Sequence, residues 1–204
     1  IKNSGISLQG DYDAGAFTVT SITSYRTSDL STNQDSDFTS ADLLGRKSDD
    51  VEIETFTQEV RLTSNGSGPL SWMIGGFYFD ETVDIENQLL YGSDIRGYID
   101  ILSSGLLSSL EPVVFGVPTG TFFQPGQGFT EFYGQDDTSA SLFGTIDYEV
   151  TDRLTATFGL NYTQVNKDAF SNAVSTDKIR IALLAFGAGE DTDKLEFALL
   201  EPEA

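Results

Sequence analysis

The chain contains 204 residues, of which 32 are Asp or Glu and 11 are Lys or Arg, and it has no His and no Cys. Without His or Cys it can build no Ser–His–Asp triad, no Cys nucleophile, no zinc site of the usual ligand types and no disulfide. The net charge of −21 argues against nucleic acid as a partner, because its phosphates would be repelled. Aromatic residues make up 12% and Gly numbers 20, which favours a β-rich protein with polar loops over a disordered acidic chain. The sequence contains no run of 18 apolar residues, so it predicts no transmembrane helix.

A first β-hairpin is predicted over residues 4–28, because apolar side chains recur at alternate positions in two successive runs. The same-face apolar side chains are Ile6, Leu8 and Tyr12 in the first run and Phe17, Val19 and Tyr25 in the second. These parities predict that Asp13 pairs with Ala16 around a two-residue turn at Ala14 and Gly15.

A second hairpin is predicted over residues 51–83, around a Gly-rich turn at 65–69. Its apolar positions are Phe56, Val60, Leu62, Leu70, Trp72, Ile74 and Tyr78. Met73, Phe77 and Phe79 interrupt the alternation, so the facing of this fourth strand stays open.

The third hairpin, over residues 137–167, has the clearest alternation. Its apolar side chains are Leu142, Ile146, Tyr148, Val150, Leu154, Phe158, Leu160 and Tyr162. The positions between them are mainly Ser, Thr, Asn and acidic residues, so one face is apolar and the other polar. A turn at 151–153 joins the two strands.

These six strands are long enough to cross a bilayer as tilted β-strands, which need about 9–11 residues. The connections at 29–50 and 84–136 are long, whereas the turns between them are short. We therefore predict an all-β fold: an antiparallel transmembrane β-barrel segment of about six strands, with short periplasmic turns and long extracellular loops. A soluble sandwich or barrel is the alternative, because its strands alternate in the same way.

Aromatic residues and charges both follow this layout. Tyr12, Phe17, Trp72 and Tyr148 lie near the short-turn ends of the strands, and Tyr25, Phe56, Tyr78 and Tyr162 lie near the long-loop ends. Two such rows resemble the aromatic girdles that border the apolar band of an outer-membrane barrel. Residues 29–50 and 84–137 hold fourteen of the 32 acidic residues, and residues 168–204 hold eight more. The acidity therefore belongs mainly to loops.

Three segments of the chain resemble the β-barrel of a TonB-dependent receptor. The first is Phe17-Thr-Val-Thr-Ser-Ile-Thr-Ser-Tyr-Arg with its Asp-rich loop, and the second is the hairpin Phe56-Thr-Gln-Glu-Val-Arg-Leu-Thr-Ser with Leu70-Ser-Trp-Met-Ile-Gly-Gly-Phe-Tyr-Phe. The third is Ala140-Ser-Leu-Phe-Gly followed by Tyr148-Glu-Val-Thr-Asp-Arg-Leu-Thr-Ala-Thr-Phe-Gly-Leu-Asn-Tyr-Thr and Lys167. Their order and spacing match the family over about residues 1–170. Asn161 stands where the family usually has Arg, and Thr145 stands where it often has Gln.

The resemblance implies an importer of a scarce nutrient in the bacterial outer membrane, typically of a ferric siderophore. In this family a plug domain fills a 22-stranded barrel, and an energy-transducing TonB complex acts through the plug. Six strands cannot close a barrel, which needs at least eight, and would leave two open edges in lipid. Residues 1–5 also lack a signal-peptide pattern. We therefore expect an internal portion of the barrel, from its earlier half and without its plug.

The partners that follow from the resemblance are outer-membrane lipid, the receptor's own plug and remaining barrel strands, the TonB complex, and a small-molecule or metal-chelate ligand. External loops of the family contribute to ligand capture. The ligand-binding candidates in the 84–136 loop are therefore Tyr91, Arg96, Tyr98, Phe122, Phe123 and Tyr133. For each of them, packing within the loop is the alternative. Glu59, Arg61 and Lys167 are predicted to face the lumen, where they contact a plug or pair with other wall residues.

We expect no enzymatic activity, no catalytic residue, no cofactor and no metal. Two acidic clusters could supply the oxygen ligands of Ca²⁺, but neither fits the EF-hand spacing: Asp35, Asp37, Asp49 and Asp50 form one, and Asp136 and Asp137 the other. Asp147 and Glu149 could form a glycosidase-like carboxylate pair, although the alternating polarity of a lumen wall explains them better. An enzyme acting on glycans is accordingly disfavoured.

Residues 171–204 are predicted to form an acidic external loop or tail, in which 178–200 has no clear period. An alternative function for the whole chain is a soluble or secreted acidic β-rich protein, structural or adhesive, that assembles through open strand edges.

Overall fold

A computed structural model describes residues 1–179 of the chain and shows a β-rich fold with two short helices. The strands are β1 (Lys2–Asp13), β2 (Phe17–Gln34), β3 (Arg46–Ser64), β4 (Leu70–Leu90), β5 (Gly128–Thr151) and β6 (Leu154–Ser175). The helices, α1 (Ile95–Leu102) and α2 (Leu106–Val113), both lie between β4 and β5. All six strands form one antiparallel sheet in chain order. The predicted number and order of strands are therefore confirmed.

The register of the first hairpin differs from the predicted register by two residues, because the turn lies one residue further along the chain. Asp13 pairs with Thr18, and Ala14 donates its N–H to the Phe17 carbonyl oxygen at 2.9 Å, so the two turn residues are Gly15 and Ala16. Gly15 has φ +84°, and its N–H donates to the Asp13 carboxylate at 2.7 Å. A two-residue hairpin turn favours Gly where φ is positive, which explains the shift. The predicted faces survive, because the pairing changes by an even number of residues.

Five of the six strands extend well past their predicted long-loop ends. β2 reaches Gln34, β3 begins at Arg46, β4 reaches Leu90, β5 begins at Gly128 and β6 reaches Ser175. The connections shorten accordingly to 35–45 and 91–127, and the start of the predicted 171–204 loop is strand. These extensions mix polar and apolar residues without a regular period, as in Asp84-Ile-Glu-Asn-Gln-Leu-Leu, so they lack an alternation signal. Backbone pairing does not require one. The predicted pattern at 178–200 lies almost wholly outside the described residues.

The chain divides into two compact units. The first comprises Ile1–Leu30, Val51–Asp84 and Gly134–Phe170, and the second comprises Ser31–Asp50, Ile85–Tyr133 and the chain from Ser171. The three buried apolar side chains of the described residues, Ile95, Leu107 and Phe122, all belong to the second unit. The first unit is sheet alone, and both of its edge strands are exposed. Among residues 1–179 no helix is both long and apolar enough to span a membrane.

Candidate functional site

One face of the first unit, here called the apolar face, exposes large hydrophobic side chains on neighbouring strands. Leu8 of β1 is 73% exposed and Leu160 of β6 is 69% exposed. Other members of this face are Ile6, Tyr12, Tyr25, Phe56, Val60, Leu70, Ile74, Tyr78, Leu142, Ile146, Phe158 and Tyr162. In the first hairpin, Ile6 pairs with Tyr25 and Tyr12 pairs with Val19, so the predicted same-face residues lie together. A contiguous exposed apolar patch is typical of a surface that contacts another protein, a ligand or lipid.

Two aromatic contacts lie on the apolar face, one from each predicted row. The Phe17 and Trp72 rings have centroids 6.4 Å apart, and the Phe56 and Tyr78 rings have centroids 6.3 Å apart. Both distances lie in the range of favourable tilted ring pairs. Phe17 and Phe56 lie on the apolar face, so their contacts show that Trp72 and Tyr78 of β4 lie on that face too. Phe143 of β5 lies against Gly75, where an added Cβ would overlap its ring.

A small polar cluster interrupts the apolar face between the two aromatic pairs. Thr23 of β2 donates to the side-chain oxygen of Gln58, and the Gln58 amide donates to the Ser21 hydroxyl at 3.1 Å. The same amide donates to the Glu59 carbonyl at 3.0 Å. The amide and the two hydroxyls therefore satisfy one another, which a polar group needs when no water is at hand.

The residues predicted to face a lumen take part in ion pairs. Arg61 lies 3.4 Å from Glu59, two positions away on β3, and Lys167 of β6 lies 2.6 Å from Asp137 of β5. Glu59 and Arg61 share a face of β3 because side chains two apart point to the same side. Lys167 is more than half exposed, so its pair contributes about 0–1 kcal/mol. These contacts match the alternative of paired wall residues, and contact with a plug stays a prediction.

In the second unit, Asp37 organises the 35–45 connection. One carboxylate oxygen accepts the N–H and hydroxyl of Thr39, and the other accepts the N–H groups of Leu43 and Leu44 at 2.9–3.0 Å. The N–H groups of Leu44 and Thr39, together with the Thr39 hydroxyl, lower the pKa of Asp37 from 3.8 to about 2. Asp37 thus serves as a turn residue, whereas the sequence suggested it only as a calcium ligand.

Asp42 joins the 35–45 connection to the start of the 91–127 connection. Its carboxylate accepts the Ser93 N–H at 2.8 Å, its carbonyl accepts the Asp94 N–H at 2.8 Å, and its own N–H donates to the Asp94 carboxylate at 3.0 Å. Gly92 packs so closely here that an added Cβ would overlap the Asp42 carbonyl and carboxylate. Only a residue without a side chain fits this position.

Replacing Gly92 by Ala is expected to destabilise the second unit by about 1–3 kcal/mol, because the added methyl forces Asp42 away. Gly97→Ala is the matched control. Gly97 lies in α1 with open space at its Cβ, so Ala there is expected to stabilise the helix by up to about 1 kcal/mol. Hydrogen exchange of residues 91–113 measures both changes, and equal effects from the two variants would contradict the close approach.

A buried ion pair links α1 to α2. Arg96 of α1 forms a two-pronged contact with Glu111 of α2, at 2.5 and 2.7 Å. Glu111 is fully buried and also accepts the N–H groups of Gly120 at 2.6 Å and Phe122 at 2.8 Å. Arg96 donates further to the Phe122 carbonyl and the Ser108 hydroxyl, both at 3.1 Å. Every charged oxygen of this pair is therefore satisfied inside the connection.

These contacts set the protonation of Glu111. Burial raises the pKa of its carboxyl, but the Arg96 guanidinium and the N–H groups of Phe122 and Gly120 lower it more, so it lies at about 2 instead of 4.5. A carboxyl whose pKa is depressed by folding stabilises the fold above its unfolded pKa and loses that contribution as the pH falls through its folded pKa.

Acid is therefore expected to destabilise the second unit between about pH 4.5 and pH 2, as Glu111 and Asp37 take up protons. Amide exchange of residues 95–122, corrected for the intrinsic rate at each pH, measures the effect. In Glu111→Gln the slope of stability against pH is expected to be smaller, because one of the two titrating groups is gone. An unchanged slope in this variant would contradict the assigned role of Glu111.

The six predicted ligand-binding residues are distributed over several places in the second unit. Arg96 and Phe122 belong to its interior, which is the packing alternative. Tyr91 donates its hydroxyl to Asp177 at 2.7 Å and its ring lies 5.5 Å from that of Phe123. Tyr98 and Tyr133 are exposed. The described contacts bring Tyr91 together with Phe123, and separately Arg96 with Phe122. The binding role of the six residues stays a prediction.

Two polar cavities occur in the second unit. One of about 380 Å³ is lined by residues 33–35, 39–42, 44 and 45, and one of about 660 Å³ is lined by residues 118–121, 124–127, 176 and 178. None of the six predicted residues lines either cavity. Within residues 1–179, no group of three or more acidic side chains is arranged to hold a metal ion.

Sequence reasoning overlooked Glu111, Asp42 and the Gln58 cluster. Glu111 stands alone in the apolar stretch Leu106-Leu-Ser-Ser-Leu-Glu-Pro-Val, and Arg96 is the sole basic residue between Arg61 and Arg153. An isolated acid and an isolated base inside one apolar connection are a usable signal for a buried pair. Asp37 and Thr39 likewise have the spacing of an Asx turn.

A scan of the chain against models of known protein families finds no match, and a search among curated proteins finds none either.

Proposed function

We propose that the chain is part of the β-barrel of a TonB-dependent receptor in the bacterial outer membrane, with the apolar face against lipid. The observation that carries this proposal is the exposed apolar face with its two aromatic contacts. Hydrocarbon chains remove such a surface from water at about 25 cal/mol per Å². Strands of 12 to 24 residues leave ample length to cross a bilayer.

In this proposal the opposite face, which bears the Glu59–Arg61 and Asp137–Lys167 pairs, lines the barrel lumen and meets a plug. Charges on that side avoid the cost of about 2–4 kcal/mol that a basic residue has at the bilayer midplane. The Gln58 cluster is compatible with lipid because its polar groups bond to one another. The exposed edges of β1 and β6 pair with the remaining barrel strands, which removes open edges from the bilayer.

The second unit supplies external loops that help capture a scarce nutrient, a ferric siderophore being the ligand class that the resemblance implies. The side chains proposed to contact such a ligand are the exposed Tyr98 and Tyr133 and the Tyr91–Phe123 pair. Import draws energy from a TonB complex through the plug, and the chain itself performs no catalysis.

The second candidate is a secreted acidic β-protein that assembles through its strand edges. The observation in its favour is that β1 is exposed along its whole length and β6 along nearly all of it. Such an assembly would pair edges between copies and would leave the apolar face without a lipid partner.

The test uses the intact gene product. We expect it to fractionate with outer membranes, to need detergent for a folded state, and to bind a ferric siderophore supplied under iron limitation, with loss of uptake when the gene is deleted. A folded protein that stays in solution without detergent would overturn the membrane assignment. If the protein is found in the outer membrane but the deletion strain takes up iron as before, the proposed ligand class is wrong and the membrane assignment stands.

A further inference from the structure

Strand β4 is apolar on both of its faces. Trp72 and Tyr78 contact aromatic rings of the apolar face. Side chains at alternate positions point to opposite sides of a strand, so Met73, Phe77 and Phe79 lie on the other face of the sheet. All three are half-buried. A strand that is apolar on both faces is typical of one that is covered on both sides.

Phe143 of β5 extends this second apolar surface. Its ring lies over Gly75, which is buried, and a Cβ added to that glycine would come within 2.5 Å of the ring. Gly75 stands midway between Met73 and Phe77 on the same side of β4, so the Phe143 ring occupies the space between their side chains. Met73, Phe77, Phe79 and Phe143 are here called the inner patch.

Acidic side chains border the inner patch on both neighbouring strands. Glu59 of β3 adjoins Val60, whose carbonyl oxygen is 3.1 Å from the Cβ position of Gly75. Because Val60 belongs to the apolar face, Glu59 points to the side of the inner patch. Asp137 of β5 points to the same side as Phe143, since six positions separate them. The inner patch therefore has a carboxylate on each side.

Each of these two carboxylates has one buried oxygen that accepts no hydrogen bond within residues 1–179. The oxygens are Glu59 Oε1 and Asp137 Oδ1. Arg61 lies 3.4 Å from the first of them without bonding to it, and Lys167 contacts the other oxygen of Asp137 at 2.6 Å. A buried carboxylate oxygen without a donor is unfavourable, so a partner that brings donors to both positions is favoured.

We propose that the inner patch is the docking site of a protein segment with apolar side chains at its centre and Lys or Arg at its borders. The apolar side chains cover the patch, and the basic ones donate to Glu59 and Asp137. The inference rests on the proposed function, in which this face lines the lumen and the occupant is a segment of the plug. A lumen wall that meets water is polar, so an apolar patch there is explained by contact with protein.

Photocrosslinking in the intact gene product, within its native membrane, tests the docking. With p-benzoylphenylalanine in place of Phe77, we expect a crosslink to a segment of the same chain outside the barrel strands, with Lys or Arg beside its apolar residues. In place of Thr157, on the same face but bonded to Asp147 away from the patch, the yield is expected to be at least about fivefold lower. Equal yields at the two positions, crosslinks from Phe77 only to a second copy or to lipid, or no crosslink would overturn the docking.

The same photoreactive residue at Tyr78, one position along β4 on the apolar face, separates failure of the docking from failure of the proposed function. We expect this position to crosslink to lipid. If it does and Phe77 fails to crosslink to a plug segment, the docking is wrong and the membrane assignment stands. If Tyr78 does not meet lipid, the membrane assignment is itself contradicted.

Neutral variants of the bordering carboxylates test the charged part of the contact. Glu59→Gln and Asp137→Asn, each combined with the photoreactive residue at 77, are expected to lower the crosslink yield at least about threefold, because a basic side chain of the partner loses its acceptor. Asp147→Asn is the matched control: it removes the same charge where the carboxylate already accepts the Thr157 hydroxyl at 2.6 Å, and no change is expected. Unchanged yields in both bordering variants would overturn the assignment of basic groups to the partner.

Discussion

Glu111→Gln is expected to destabilise the second unit by about 3–5 kcal/mol, because it leaves the Arg96 guanidinium largely buried without its counter-charge. The substituted amide still accepts N–H groups from Gly120 and Phe122, so the change reports mainly on the charge. Local opening free energies from hydrogen exchange of residues 95–122 measure the loss.

Glu52→Gln on β3 removes the same charge from an exposed position and is expected to change stability by less than about 0.5 kcal/mol. Arg96→Met combined with Glu111→Leu should be less damaging than Glu111→Gln alone, since no buried charge remains unpaired. If Glu111→Gln costs no more than Glu52→Gln, the ion pair is not what holds the two helices together.

Leu160→Arg is expected to destabilise the bilayer-embedded protein by about 2–4 kcal/mol, because it places a charge on the apolar face of β6. Asn161→Arg is the matched control: it adds the same side chain one position along, on the opposite face. Asn161 is also a position where the resembling family usually carries Arg. Urea-dependent unfolding of the intact gene product in lipid vesicles measures both variants.

The contrast between the two Arg variants separates the candidate environments. In water both positions are exposed, so each substitution would change stability by less than about 0.5 kcal/mol. In lipid only Leu160→Arg is costly. Equal, small effects would therefore place the apolar face in water, whereas a difference of several kcal/mol in the stated direction supports contact with hydrocarbon.

The sheet could be predicted from sequence because alternation is a local signal. Each strand of the third hairpin carries most of its apolar residues at even positions, which identifies the strand and its faces without knowledge of its neighbours. The register is harder to predict. The shift from the predicted pairing of Asp13 with Ala16 to its pairing with Thr18 arises from the positive φ of Gly15. Both registers preserve the pattern of faces, so the pattern could not distinguish them.

The strand extensions and the loop interior could not be read in the same way. Thr32 and Asp49 meet across β2 and β3 at 3.3 Å, yet Asp is depleted in strands and the polar residues around both positions show no alternation of apolar residues. Arg96 and Glu111 are separated by fifteen residues and a turn between two helices, so their contact depends on tertiary packing. For the same reason, aromatic residues of the connection were predicted as a group although the fold uses Phe122 as core and exposes Tyr98.

Spin-label accessibility along β6, in the intact gene product reconstituted into lipid vesicles, tests the central claim most directly. Single cysteines replace Thr157, Phe158, Leu160 and Asn161 in turn, since the chain has no cysteine of its own. Labels at Phe158 and Leu160 are predicted to collide mainly with oxygen dissolved in the hydrocarbon, and labels at Thr157 and Asn161 with a water-soluble nickel complex. The opposite outcome, in which all four labels meet the nickel complex equally, would contradict a lipid-facing apolar face.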